Sequence, residues 1–247
     1  MTESREEPMT ATDTPPTPVN LRDVAGLRTD EGRTVAAGVL YRSEAPQPGD
    51  AAPADVASWP VRTVVDLRSH KEADDAHPLA GAGARVHHFP LGLTLTPDAK
   101  LRRGPVDDLA PLYLGLVRGC AAQIADAVTA VADGPGPALV HCVAGKDRTG
   151  IIVGILLRAV GVRRGDVLAD YVRTRERLPL LWPRLTRTGT RLPDNPVLLD
   201  VDPRALTGVL DHVDDHHAGA AGWLVDAGVT AATLAGLRAR LLPGSAE

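Results

Sequence analysis

The chain has 247 residues, 44% of them hydrophobic, which is enough to bury a substantial core in one domain. Its formal net charge is −4, with 31 acidic against 27 basic residues, which argues against a surface adapted to a nucleic-acid backbone or an anionic membrane while leaving room for a local basic pocket. Two cysteines are too few for a disulfide framework, no apolar run reaches the length of a membrane span, and the first residues lack the basic and apolar regions of a secretory signal. A soluble cytoplasmic protein is therefore expected, with export by another route left open.

Residues 1–18 are polar and rich in proline and read as a disordered tail, followed by one domain over residues 19–247. The segments RTVAAGVLYRS, VRTVVDLRS and ARVHHFPLG each carry a short apolar, β-branched run that ends in polar residues, the pattern of a strand entering a loop. From about Asp98 to Pro111 charged residues, Gly104 and Pro105 predict an exposed connection. Apolar residues at helical spacing then run from Leu109 to a stop at Gly134 and Pro135. PALVH reads as a fourth strand buried on both faces, and GIIVGILLRAVG as a helix ended by Gly161. Further helices are predicted near 166–177 and 222–242. Strands separated by helical patterns predict an α/β fold, a mostly parallel central sheet flanked by helices with extra helices at the C-terminus.

The stretch VHCVAGKDRTGIIVGILL carries the chemistry. A strand ending near Val140 delivers Cys142 to a sheet edge, and the backbone of Val143, Ala144, Gly145, Lys146, Asp147 and Arg148 can curl into a nest of N–H groups that binds an anion. The helix that follows, expected from Thr149 and Gly150, aims its positive end at the same point. Such a field favours a thiolate over a thiol. Gly145 permits close backbone approach, Arg148 offers a planar fork for two phosphate oxygens, and Thr149 Oγ is placed to hydrogen-bond the sulfur. His141 orders the loop from behind. A bare C-x5-R is a weak signal, but His before the cysteine, Gly-Lys before Asp-Arg, and Thr-Gly before an apolar helix make it specific. A nucleotide P-loop does not fit, since it needs glycine where Val140 stands and Ser or Thr where Asp147 stands. Cys120 lies among Ala and Gly at helical spacing and reads as core filler.

HCVAGKDRTG resembles the signature loop of the cysteine-dependent protein tyrosine phosphatase family, in the form found in its bacterial branch. NLRDVAGL, LYRSE, VVDLRSHKE, DVLADYVRT and WLVDAGVTAATLAGLRARLL are similar to segments of that family in the same order. The resemblance implies hydrolysis without metal or other cofactor: Cys142 takes the phosphoryl group while Arg148 holds its oxygens, and water then releases phosphate. Substrates would be phosphotyrosine proteins, with phosphoserine, phosphothreonine or phosphoinositides also in range, and Lys146 would widen the positive field for multiply phosphorylated ones. The family's C-terminal helices often cover the site, and residues after Asp166 are placed to do so here.

The acid for the leaving oxygen is the open point. In related sequences an Asp tends to follow the Phe-Pro pair after the third strand, but here FPLGLTLTPD places Leu91 there. Asp147 is the first candidate, because the family's Lys-Asp-Arg form suggests a catalytic role, with Asp98, Asp107 and Asp108 as weaker alternatives. Asp66 and Arg68 sit at a strand end, where an ion pair supporting the loop is favoured over a direct role, and Arg22 and Arg42 follow the same logic. Two other functions remain in view: a phosphate-binding module without turnover, motivated by Leu91, and a sulfur-transfer enzyme of the rhodanese kind. The cluster DHVDDHH, with His212 and His216 at i, i+4 spacing, reads as a polar helix end rather than a metal site. DAGVTAATLAGLRARL reads as a helix packed on the domain rather than a DNA reader.

Overall fold

The computed structural model describes residues 16–54, 56–73, 76–92 and 107–244. Five strands, β1 (Arg22–Asp23), β2 (Leu40–Ser43), β3 (Thr63–Asp66), β4 (Arg85–His88) and β5 (Ala138–His141), form one sheet in the order β1-β2-β5-β3-β4. β1 runs antiparallel to β2, and the other four strands are parallel. Every residue of β2, β3 and β5 is buried, which is why their apolar residues are consecutive rather than alternating and why the polar Arg42, Ser43, Asp66 and His141 fall at their site ends. Leu40, Val65 and Val140 face the helices in the main core. Tyr41, Val64 and Leu139, one residue away on the opposite face, pack against Val56, Val61 and Leu79 from segments without helix. The four strands read from the sequence are present, and β1, two residues long, carried too little pattern to be read.

Among the described residues seven α-helices flank the sheet: α1 (Ala110–Gly119), α2 (Ala121–Asp133), α3 (Asp147–Ala159), α4 (Arg164–Arg187), α5 (Pro203–Asp214), α6 (Gly219–Ala227) and α7 (Ala231–Leu241). The single helix expected over 109–134 is two, bent by 80° where Cys120 leaves the helical conformation. The bend lets α1 pack on α5 while α2 lies on β3 and α7. The C-terminal helix expected over 222–242 is likewise two, divided at Gly228, whose φ of 124° ends α6. α4 runs ten residues beyond its predicted end, through Pro179 and Pro183, because buried Leu178, Leu181, Arg184 and Leu185 tie its second half down. No single helix among the described residues is long and apolar enough to cross a membrane. Of the expected tail, residues 1–15 lie outside the described residues, and Pro16 O already accepts from Ala51 N–H.

Candidate active site

Ser43, His141 and Asp66 are in register, so β2, β5 and β3 end side by side and release three neighbouring loops at one sheet edge. From β5 the chain passes through Cys142 to Lys146 and enters α3 at Asp147, two residues earlier than the sequence suggests. Four consecutive carbonyls of this loop are held from outside it. His141 Nδ1 lies 3.1 Å from Cys142 O, Ala45 N–H donates to Val143 O at 3.0 Å, Asn20 Nδ2 to Ala144 O at 3.0 Å, and Arg42 Nη2 to Gly145 O at 2.9 Å. The C=O and N–H of a trans peptide point in opposite directions, so the N–H groups of Val143, Ala144, Gly145 and Lys146 turn away from these anchors, the arrangement that an anion nest requires. The N-terminus of α3 adds its dipole to the same field.

Gly145 has φ +66°, and a Cβ there would sit 2.3 Å from the Ser43 carbonyl and 2.5 Å from Glu44 N, so no larger residue fits the turn. Behind the loop, His77 Nδ1 accepts from Leu79 N–H, which puts the His77 proton on Nε2, 3.0 Å from His141 Nε2. His141 thus accepts at Nε2 and donates from Nδ1 to the Cys142 carbonyl, a consistent pair of neutral rings. Full burial pushes the His141 pKa down to about 4. Asp66 lies 3.8 Å from His141 and hydrogen-bonds Arg68. Burial opposes its charge, but the His141 ring and the Arg68 guanidinium outweigh it and hold the carboxyl at about 2. A second buried network braces the loop through α4: Asp170 pairs with Arg22 at 2.8 Å and with Arg42 at 2.7 Å, so the arginine that grips Gly145 O is itself fixed.

Arg148 is buried. Its Nη1 and Nη2 grip the Glu72 carboxylate at 2.6 and 2.9 Å, and Nη1 also reaches the carbonyls of Leu67 and Leu91 at 3.2 Å. Burial works against this charge, but Cys142 and Glu72 outweigh it and raise the Arg148 pKa. Arg148 Nε is buried without a hydrogen-bond partner among the described residues, which leaves a charged donor for an anion. Leu91, standing where an acid would be sought, is fully buried and serves Arg148 through its carbonyl.

One expectation is corrected. Lys146 does not widen the field with its side chain: it is fully buried, and Nζ donates to Leu198 O (2.8 Å) and Asp200 O (2.6 Å) and pairs with Asp147 Oδ1 at 3.3 Å, tying the segment before α5 to the loop. Thr149 Oγ1 makes no bond to the sulfur and is buried without a partner among the described residues. Gly150 lies inside α3 with the Tyr171 ring against it. Of the acid candidates, Asp147 lines the cleft beside Cys142 and Arg148. Asp107 and Asp108 are exposed, with Asp108 bonded to Ala110 N–H at the start of α1, and Asp98 lies outside the described residues.

The cleft has a volume of about 810 Å³. Cys142 and Arg148 lie among its lining residues, with Lys71 and Arg68, apolar Pro46 and Pro78, and Trp182, Leu185 and Leu192 from α4 and the segment after it. Sequence reasoning missed Asn20, Glu72, His77, Tyr113, Asp170 and Tyr171. Asn20, Glu72, Asp170 and Tyr171 lie in the family-like segments NLRDVAGL, VVDLRSHKE and DVLADYVRT, but nothing in those segments separates them from structural or solvated residues. The cluster DHVDDHH closes α5, and His216 Nε2 lies 3.0 Å from Asp226 Oδ2.

The sequence model of the tyrosine phosphatase family matches residues 15–243. The triple specificity protein phosphatase PtpB of Mycobacterium tuberculosis is 29% identical over 279 aligned positions, covering 90% of this chain and 96% of its own length. A tyrosine-protein phosphatase of Nostoc commune is 31% identical over 122 residues, covering 47% of this chain and 41% of its own length.

Proposed function

Because this chain belongs to the tyrosine phosphatase family, we propose that it hydrolyses phosphotyrosine through a thiophosphate on Cys142, with Asp147 as the proton donor. The observation that carries this reading is the loop whose four carbonyls are held from behind, so that its N–H groups surround the position a phosphoryl group takes above the Cys142 sulfur. Cys142 Sγ attacks phosphorus as the P–O bond to the leaving group breaks, and Asp147 gives its proton to the departing oxygen. Arg148 keeps its grip on Glu72 and offers Nε to a phosphoryl oxygen. Water then attacks the thiophosphate, the Asp147 carboxylate takes its proton, and the thiolate is released with phosphate. The residues supply every proton and charge this sequence needs.

The breadth of the cleft supports a wider range, phosphoserine, phosphothreonine and phosphoinositide headgroups included, in keeping with the triple specificity named for the mycobacterial relative. The test is hydrolysis of p-nitrophenyl phosphate under reducing conditions. Cys142→Ser is expected to abolish it, and Asp147→Asn to lower it by about 10²-fold or more. Wild-type protein that binds vanadate tightly without turnover would overturn the reading in favour of a phosphate-binding module.

A further inference from the structure

We propose that Tyr113 and Tyr171 are positioning residues that decide which oxygen of Asp147 carries the transferable proton. This rests on Asp147 being the acid, and adds what the loop motif alone lacks. Three helices meet at this carboxyl: Asp147 opens α3, Tyr113 comes from α1 and Tyr171 from α4. The Tyr113 hydroxyl donates to Asp147 Oδ1 and lies 2.8 Å from the Tyr171 hydroxyl. A phenol has one proton, so with the Tyr113 proton on Asp147, Tyr171 must donate to Tyr113. Lys146 Nζ, 3.3 Å away, faces the same Oδ1.

Both phenols keep their protons. Burial, and then the Asp147 charge, push the Tyr113 pKa well above its ordinary value, and the same two causes raise that of Tyr171. Asp147 Oδ1 therefore faces the Lys146 ammonium, which can only donate, and the Tyr113 hydroxyl, so a proton placed there costs the ion pair and forces the Tyr113 hydroxyl to turn away. The acid form is thereby steered to hold its proton on Oδ2, which has no partner among the described residues and belongs to a side chain lining the cleft with Cys142. After the proton leaves, the same Oδ2 is the free oxygen that accepts from the attacking water. The pair is built into the motif from the other side as well, since a Cβ at Gly150 would fall 2.8 Å from the Tyr171 ring.

The experiment compares kcat/KM for phenyl phosphate, whose leaving oxygen needs a proton, with that for 2,4-dinitrophenyl phosphate, whose leaving group departs as an anion. Tyr113→Phe is expected to lower the phenyl phosphate value about tenfold while the dinitrophenyl value stays within about twofold, so the ratio falls. Tyr171→Phe, which removes only the group orienting Tyr113, is expected to move the ratio in the same direction by less, and decides the question should Tyr113→Phe not fold. A purely structural role would lower both substrates together, and that result, or no change, overturns the proposal. Asp147→Asn run beside them separates the two failures. If it lowers the ratio and the tyrosine variants do not, positioning is wrong and the acid stands. If it leaves the ratio unchanged, the acid lies elsewhere and both readings fall.

Discussion

Gly145 is the residue whose replacement the structure tolerates least. An added methyl meets backbone atoms of Ser43 and Glu44 where β2 ends, and left-handed φ alone costs about 1–2 kcal/mol for any other residue. Gly145→Ala is expected to lower stability by at least about 2 kcal/mol and to weaken vanadate binding, measured by urea unfolding and by inhibition of turnover. The need for glycine there was legible, because Gly-Lys-Asp-Arg after a cysteine calls for a tight turn. What met the turn was not, since Ser43 and Glu44 lie a hundred residues earlier and nothing in their own sequence points to this contact. The same holds for Lys146. Its charge was legible, but only the packed segment around Leu198 shows that the charge is turned inward, and a side chain's direction is set by neighbours that no local pattern records.

At the scale of elements, the sheet edge and α3 were readable because strand, loop and helix signals coincide within eighteen residues. The α1–α2 bend was hidden, since apolar spacing continues through Gly119 and Cys120 and the break follows from which partners each half meets. The segment from Leu198 to Asp200 is joined to the loop between β5 and α3 through Lys146 Nζ, which satisfies two carbonyls there at once. Lys146→Met, close in volume, leaves both part-buried carbonyls without that charged donor, and a hydrogen bond to a charged group contributes about 1.5–3 kcal/mol. The expected outcome is faster limited proteolysis between residues 190 and 200 with the remaining domain resistant. Unchanged cleavage would show that the segment is held by other contacts.

For the whole molecule, buried titratable groups set the acid limit. His141 is neutral in the fold down to about pH 4, whereas its unfolded value is 6.5, so between these pH values the unfolded chain binds more protons and stability falls as pH falls. Those 2.5 units amount to about 3 kcal/mol at most. Asp66 and Asp170, both lowered from 3.8 to about 2, contribute stability that is present above pH 3.8 and lost as pH falls toward 2. Thermal unfolding of wild type and His141→Asn across pH 7 to 4 checks the first window. The variant, which can still donate to the Cys142 carbonyl, is expected to show a flatter profile, and parallel profiles would rule out the buried neutral ring. These windows were invisible in the sequence, because burial and partner, not residue type, produce them. The four anchored carbonyls have a further consequence. Three of their anchors, Asn20, Arg42 and Ala45, come from the opening of the domain, two of them 103 and 124 positions before the oxygens they hold. A ten-residue graft of HCVAGKDRTG onto another strand and helix would carry the nucleophile and the guanidinium while leaving its peptide planes free to rotate. The motif is a portable label, but the site it marks is not portable.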